Sequence, residues 1–149
     1  MIVKSEILAL CKLTIQTRID SYKTRIKELK ETLENLDSSG GDDDDDGSGE
    51  LMAEYERYNN LKEEQESLKV ELSNSGAGSS KTSVSDGALV VTNTHAFFIG
   101  ISLGELSLEN GKKFFAISSK APIYNAMKGL TAGASFTFND VSRTIESVS

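Results

Sequence analysis

The sequence has little of the chemistry from which most enzymes build an active site. Its 149 residues include one Cys, one His, one Pro and no Trp. A lone thiol, Cys11, cannot form an internal disulfide, and a zinc site or a Ser-His-Asp triad would depend on His95 alone. We therefore expect neither of these two kinds of site, and we expect Cys11 to be a small apolar filler and His95 to be an ordinary residue at a strand end.

Long apolar runs are also missing. No stretch approaches the roughly 20 apolar residues that a membrane-spanning helix needs. The apolar run nearest the start, residues 7–11, is too short for the core of a signal peptide. We expect a cytoplasmic protein without a membrane partner. Its net charge of -7 also argues against nonspecific binding of nucleic acid, which requires a basic face.

The negative charge is concentrated in the first half of the chain. Residues 1–75 hold 10 basic and 18 acidic side chains, whereas residues 76–149 hold 6 and 5. The stretch 37–50 has seven carboxylates and no basic residue. Five of the seven are consecutive aspartates, which repel one another and gain nothing from folding. They form either a solvated turn or a set of oxygen ligands for Mg²⁺ or Ca²⁺. An EF-hand does not fit, because Ala53 falls at the position of its bidentate Glu.

The acidic stretch separates two amphipathic segments. Apolar residues recur at steps of three and four from Ile15 to Leu36, after Leu8 and an interruption at Lys12, which predicts a coiled-coil helix. Leu51 begins a second, less regular stripe in which Gln65 replaces an apolar residue. Glycines flank the aspartates and stop both helices. We predict an intramolecular antiparallel hairpin over residues 1–75, with its acidic tip at 38–50, and a monomer; pairing of the same stripes between chains is the alternative.

The second half has a different composition. Residues 73–87 include six Ser and three Gly, which predicts a flexible linker over 76–87. Residues 88–149 are rich in short β-prone runs and predict an antiparallel sheet of five or six strands. Asn110-Gly111 is a hairpin signal, and Pro122 with Gly129 brackets a short helix. The six Phe residues occur in pairs that point to opposite faces of the sheet, so that not all of them enter one core.

The order of these parts resembles the bacterial Gre transcription elongation factors. The resemblance runs along nearly the whole chain and includes the segment Ala121 to Ala134, in which Pro122, Ile123, Gly129 and Gly133 match the family pattern. Ala121, Leu130, Ala132 and Ala134 depart from it. The resemblance implies an α+β fold with an N-terminal coiled-coil hairpin and an FKBP-like C-terminal domain, here residues 88–149.

The resemblance also implies a partner and a role. Gre factors dock their C-terminal domain on RNA polymerase and pass the hairpin into its secondary channel, where tip carboxylates help to hold the second Mg²⁺ of the polymerase for cleavage of backtracked RNA. This chain would then be an accessory factor, not an enzyme, with no tightly bound cofactor, a shared Mg²⁺ and only indirect contact with nascent RNA. The implied metal ligands are Asp42, Asp43, Asp44, Asp45 and Asp46, with Glu50 as a further candidate. The implied partner-binding residues are Pro122, Ile123, Tyr124, Met127 and Lys128.

Two alternatives stay open at this point. The acidic pair of a Gre cleavage tip would fall on Ser48 and Leu51, neither of which is a carboxylate. The run of aspartates instead resembles the tips of Gre-related inhibitors, which occupy the channel without promoting cleavage. From a different class, the chain could be a non-catalytic coiled-coil interaction module whose aspartates only keep the tip solvated.

Overall fold

The chain forms two long helices followed by a sheet with a short helix. A computed structural model describes residues 2–38 and 47–149. In chain order the elements are α1 (Lys4–Ser38), α2 (Ser48–Asn74), β1 (Leu89–Thr92), β2 (Ala96–Ile99), β3 (Gly104–Ser107), β4 (Lys113–Ile117), α3 (Pro122–Met127), β5 (Ser135–Phe138) and β6 (Val141–Val148). They belong to two compact units: residues 13–67, called the hairpin unit, and residues 1–12 with 68–149, called the sheet unit.

The hairpin unit pairs α1 and α2 in opposite directions. The Tyr22 and Tyr58 rings lie 5.9 Å apart between centroids, and an Arg25 Nη lies 2.8 Å from a Glu54 Oε. Because the later residue in α1 meets the earlier residue in α2, the helices are antiparallel. On α1, Ile15, Ile19 and Leu29 are buried. The prediction of an N-terminal antiparallel helical hairpin is confirmed.

The first turns of α1 differ from the prediction. Ile7 and Cys11 are fully buried, whereas Leu8 is only half-buried and Lys12 is exposed. The buried positions therefore recur in steps of four from Ile7 to Ile19 before the three-and-four alternation begins. A repeat longer than 3.6 residues moves the buried stripe around the helix. Lys12 does not interrupt the stripe, because the stripe passes through Cys11.

The sheet has six strands in the order β3-β4-β2-β1-β6-β5. Its neighbouring strands are antiparallel except for β2 and β4, which run parallel with Phe97 opposite Phe115. The predicted antiparallel sheet with one short helix is thus confirmed, with one parallel pair that the sequence did not reveal. This α+β architecture positions α3 beside β5.

Both faces of this sheet hold buried aromatic side chains. Phe97 is part of a core cluster with Tyr124 and Met127 of α3. Phe98 and Phe114 also have 0% exposure, but they point to the opposite face of the sheet and do not belong to this cluster. That face is therefore covered as well, in a unit that also contains the buried Ile7 and Leu72.

Two turns join neighbouring antiparallel strands by different chemistry. The turn between β3 and β4 is a three-residue loop with Gly111 in the left-handed region at φ +84°. The Gly111 N–H donates to Leu108 O. Between β5 and β6, Asn139 and Asp140 both have positive φ, at 50° and 64°. Positive φ at both central residues is the pattern of a two-residue type I′ turn. The turn signal at Asn110-Gly111 was recognised in the sequence, and the one at Asn139-Asp140 was not.

The predicted linker contributes to the core. Val84 is 1% exposed and lies in the cluster with Phe97 and Tyr124. Its N–H donates to Leu130 O at 2.8 Å, and its carbonyl accepts from the Gly129 N–H. The Ser- and Gly-rich composition of 76–87 predicted flexibility, but one β-branched side chain and two backbone hydrogen bonds attach the segment to the rest of the sheet unit.

Candidate functional site

The acidic stretch joins the two paired helices. α1 ends at Ser38 and α2 begins at Ser48, so the segment that connects them contains the five aspartates. Asp42, Asp43, Asp44, Asp45 and Asp46 lie outside the described residues. Glu50 lies in the first turn of α2 and is exposed. A carboxylate at this position interacts favourably with the positive end of the helix dipole, which is a structural reason for Glu50 that needs no ligand.

A metal centre is not formed by the residues that the structure describes. Within 2–38 and 47–149, no three His, Cys, Asp or Glu side chains come together in a group that could hold a metal ion. Of the predicted ligands only Glu50 is described, and one exposed carboxylate does not make a site for Mg²⁺. The ligand set therefore remains a prediction that concerns residues 42–46.

An ion-pair group lies on the hairpin unit about one turn beyond Glu50. Arg25 donates from Nε and Nη2 to the same oxygen of Glu54, at 3.3 and 2.8 Å, and from Nη1 to Glu28 at 3.3 Å. The hydrogen bond to Glu54 is the main reason that the pKa of Arg25 is raised. The Glu54 carboxylate is thus engaged by the partner helix. This cross-helix pair could not be predicted from the sequence, because it depends on the register of the two helices.

The predicted partner-binding segment coincides with α3. Pro122 occupies the start of this helix, after Ala121 in an extended conformation, and the Lys128 N–H closes it on Tyr124 O. Tyr124 and Met127 are 6% and 0% exposed. Their side chains pack in the core and are not part of an accessible surface. Pro122 and Lys128 are exposed and Ile123 is half-buried, so these three form the accessible part of the predicted segment.

His95 lies beside two aromatic rings at one end of β2. Its ring is 5.3 Å from Phe115 and 6.2 Å from Phe97 between centroids. Its backbone is held by Thr92, whose Oγ1 accepts from the His95 N–H and donates to the His95 carbonyl. These contacts stabilise the turn and cover the phenyl rings. They agree with the prediction of an ordinary residue at a strand end.

Cys11 has the character of an inert thiol. It is buried, and its burial raises the pKa of the thiol to about 11. The thiolate, which is the nucleophilic form, is therefore scarce at neutral pH. This supports the expectation that Cys11 fills space in the sheet unit.

An open cavity of about 430 Å³ in the sheet unit was not foreseen from the sequence. The last turns of α2 line one side with Val70 and Glu71, and the loop before α3 contributes Lys120. Asp86 also lines it, and burial raises the pKa of its carboxyl group while Glu71 adds a smaller repulsion. Two carboxylates and one ammonium group beside an apolar side chain do not single out one class of ligand.

The helices carry no sign of a membrane span. Within the described ranges, neither long helix contains a stretch apolar enough to cross a bilayer.

Comparisons with known proteins found a structural likeness. No protein-family profile matches the chain, and a search of curated proteins finds no match. Among solved structures, the chain is similar to GreA factor homolog 1 (Gfh1) of Thermus thermophilus, with 17% identity over 91% of this chain and 92% of that one and a TM-score of 0.37.

Proposed function

We propose that the chain is a Gre-like regulator of transcription elongation. In this proposal it binds RNA polymerase through residues 88–149 and inserts the hairpin tip into the secondary channel, where it modulates Mg²⁺-dependent cleavage of backtracked RNA. The observation that carries the proposal is the position of the aspartates. Five consecutive carboxylates lie in the segment of sequence that connects two antiparallel helices, and charges of one sign so close together in sequence repel one another.

The dimensions of the hairpin unit support delivery over a distance. α1 continues from Leu13 to Ser38, which at 1.5 Å per residue is a length of about 40 Å. The sheet unit joins the hairpin unit at residues 12 and 68, and the acidic segment joins it at the other helix ends. A charge placed so far along a helix pair is of use when its target lies deep within another macromolecule.

The role of the aspartates would be to supply oxygen ligands. Mg²⁺, when bound, lowers the pKa of a coordinated water and so provides the nucleophile for cleavage. A short acidic segment alone should bind Mg²⁺ weakly, because the ion keeps much of its own water and the segment loses entropy on collecting its ligands. Asp42 to Asp46 would thus complete a coordination shell that the polymerase already provides in part.

Docking would use the accessible part of the α3 segment. The accessible groups at this surface of the sheet unit are the pyrrolidine ring of Pro122, the apolar side chain of Ile123 and the ammonium group of Lys128. Tyr124 and Met127 would act indirectly, because they fix α3 on the core. Lys128→Glu should weaken polymerase binding while leaving the core unchanged.

The test is transcript cleavage by purified RNA polymerase in halted, backtracked complexes. The variant replaces all five residues from Asp42 to Asp46 with Asn, which keeps size and polarity but removes five charges. It should still bind the polymerase and should lose its effect on cleavage. If it acts on cleavage as the parent protein does, the ligand role of the aspartates is wrong.

A matched control removes charge elsewhere on the same hairpin. Glu56, Glu63 and Glu64 are exposed on α2, and their replacement by Gln should leave the effect on cleavage intact. Suppression of intrinsic cleavage by the parent protein would identify a channel-blocking inhibitor. If the parent protein neither binds the polymerase nor alters cleavage, the chain is an interaction module of another kind.

A further inference from the structure

The loop between β3 and β4 contains an asparagine whose surroundings favour a covalent change. Asn110 is exposed and is followed by Gly111, which has φ +84° and no atom within 4 Å of the position that a Cβ would occupy. We propose that Asn110 is a site of spontaneous deamidation in the folded protein, with water as the co-reactant. The product is an aspartate or isoaspartate at position 110.

The reaction needs an unhindered backbone nitrogen after the asparagine. The Gly111 nitrogen attacks the Asn110 Cγ, forming a C–N bond and a five-membered succinimide. The bond from Cγ to the side-chain nitrogen breaks, and ammonia leaves with the proton lost by Gly111. Water then adds to one of the two imide carbonyls and opens the ring, giving an α- or β-linked carboxylate. Gly111 has no Cβ, so no side chain of its own hinders the approach of its nitrogen.

A hydrogen bond of the loop stabilises charge at the point where it develops. The Lys112 N–H donates to Asn110 Oδ1 at 2.9 Å. When the nitrogen attacks Cγ, negative charge accumulates on this oxygen, so a donor already in place lowers the barrier as in an oxyanion hole. An opposing interaction is the bond from the Gly111 N–H to Leu108 O at 2.9 Å, which must break before the nitrogen can react. The loop is solvent-exposed, so water replaces this bond at low cost.

The other seven asparagines lack this combination. Most lie within helices, where the backbone nitrogen that follows is in a helical hydrogen-bond pattern. Asn93 precedes a β-branched Thr, and its Oδ1 already accepts from the Thr144 N–H. Asn139 precedes Asp140, which, unlike a glycine, has a side chain next to the nitrogen that would attack. Asn110 alone precedes a glycine.

The experiment incubates the full chain at 37 °C at pH 7.4 and pH 9, followed by peptide mass spectrometry and an isoaspartate assay. Asn110 should convert about tenfold faster than any other asparagine, and faster at pH 9, because Gly111 must lose a proton. Gly111→Ala should slow the reaction about tenfold. Asn110→Gln should abolish it at this position, because its longer side chain does not form the five-membered ring.

A parallel incubation in urea separates the folded loop from the sequence alone. Conversion of Asn110 in the folded protein, at a rate comparable to that in urea, supports the proposal. Conversion confined to urea, an unchanged rate in Gly111→Ala, or earlier loss of another asparagine would overturn it. None of these outcomes depends on binding to RNA polymerase, so the result is separate from the proposed function.

Discussion

Gly87→Ala should be among the most destabilising single substitutions in the sheet unit. Gly87 has φ +87°, and a Cβ built on it would lie 2.6 Å from the carbonyl oxygen of Ser75 and 2.9 Å from the nitrogen of Ala77. The three nearest atoms are all backbone atoms, so the overlap cannot be relieved by rotating a side chain. The turn at 75–77 must therefore move, although Ser75 and Ala77 are buried and the Gly87 N–H is bonded to Ile99 O.

The magnitude is the sum of two costs less one gain. Alanine in the left-handed region costs about 1–2 kcal/mol. Displacement of a packed turn costs about 1–3 kcal/mol, by analogy with an overpacked core. Alanine also restricts the unfolded chain, which returns about 0.4–1 kcal/mol. The expected net loss in the free energy of unfolding is about 1–5 kcal/mol, measured by urea denaturation of the full chain with circular dichroism.

Gly129→Ala is the matched control. Gly129 has φ +79°, close to that of Gly87, but its Cβ would meet nothing within 4 Å. It therefore carries the conformational cost without the overlap, and its loss should be at most about 1.6 kcal/mol. The difference between the two variants isolates the close approach of residues 75–77 to Gly87. Equal losses for the two variants would refute this reasoning.

Three further predictions concern single side chains. Gln65→Leu should stabilise the hairpin unit by about 1–3 kcal/mol in urea denaturation, because the buried Gln65 Oε1 has no hydrogen-bond partner among the described residues. Destabilisation would mean that the carboxamide makes a hydrogen bond in the folded protein. Asp140→Gly should raise the midpoint of thermal unfolding by relieving φ +64°, a gain of up to about 1 kcal/mol, and a lower midpoint would contradict this. Burial raises the pKa of Cys11 from 9.0 to about 11, so its contribution to the free energy of unfolding should be complete below pH 9 and decrease between pH 9 and 11, because the thiol of the unfolded chain ionises first. Alkylation of the folded protein at pH 8 should therefore be slow, and rapid alkylation would show an accessible thiolate.

The hairpin was predictable because its signal is local and repeated. From Ile15 to Leu36 each apolar residue follows the last by three or four positions, and a short connection between two such helices leaves antiparallel pairing as the simplest solution. The start of the stripe was misread, because Leu8 and Ile7 are both apolar and only the tertiary structure decides which is buried. Cys11, read as a filler, proved to be the residue that continues the stripe past Lys12.

The sheet was predictable in its content but not in its pairing. Because side chains alternate along a strand, Phe97 and Phe98 could be assigned to opposite faces of the sheet from the sequence. That both faces are buried could not be predicted, because the residues that cover them are remote in sequence. The parallel pairing of β2 with β4 requires a non-local strand order that no short motif encodes. Val84 was assigned to a flexible linker because composition averages over its neighbours, whereas a single buried side chain suffices to hold a segment. For the candidate site, the acidic run was evident in the sequence. The structure was needed to show that Pro122 and Lys128 of the predicted docking segment are exposed and that Tyr124 is buried.

The discontinuous sheet unit has a consequence for the order in which the protein can fold during synthesis. Residues 13–67 can pair as soon as both helices have left the ribosome, whereas the sheet unit also needs β6, which supplies the neighbour of β1. The Lys4 ammonium donates to the carbonyls of Ser79 and Ser149, which lie 75 and 145 residues further along the chain. Ile7 and Cys11 belong to this unit, so their burial is complete only when the unit has assembled, and until then exposed apolar side chains invite capture by chaperones.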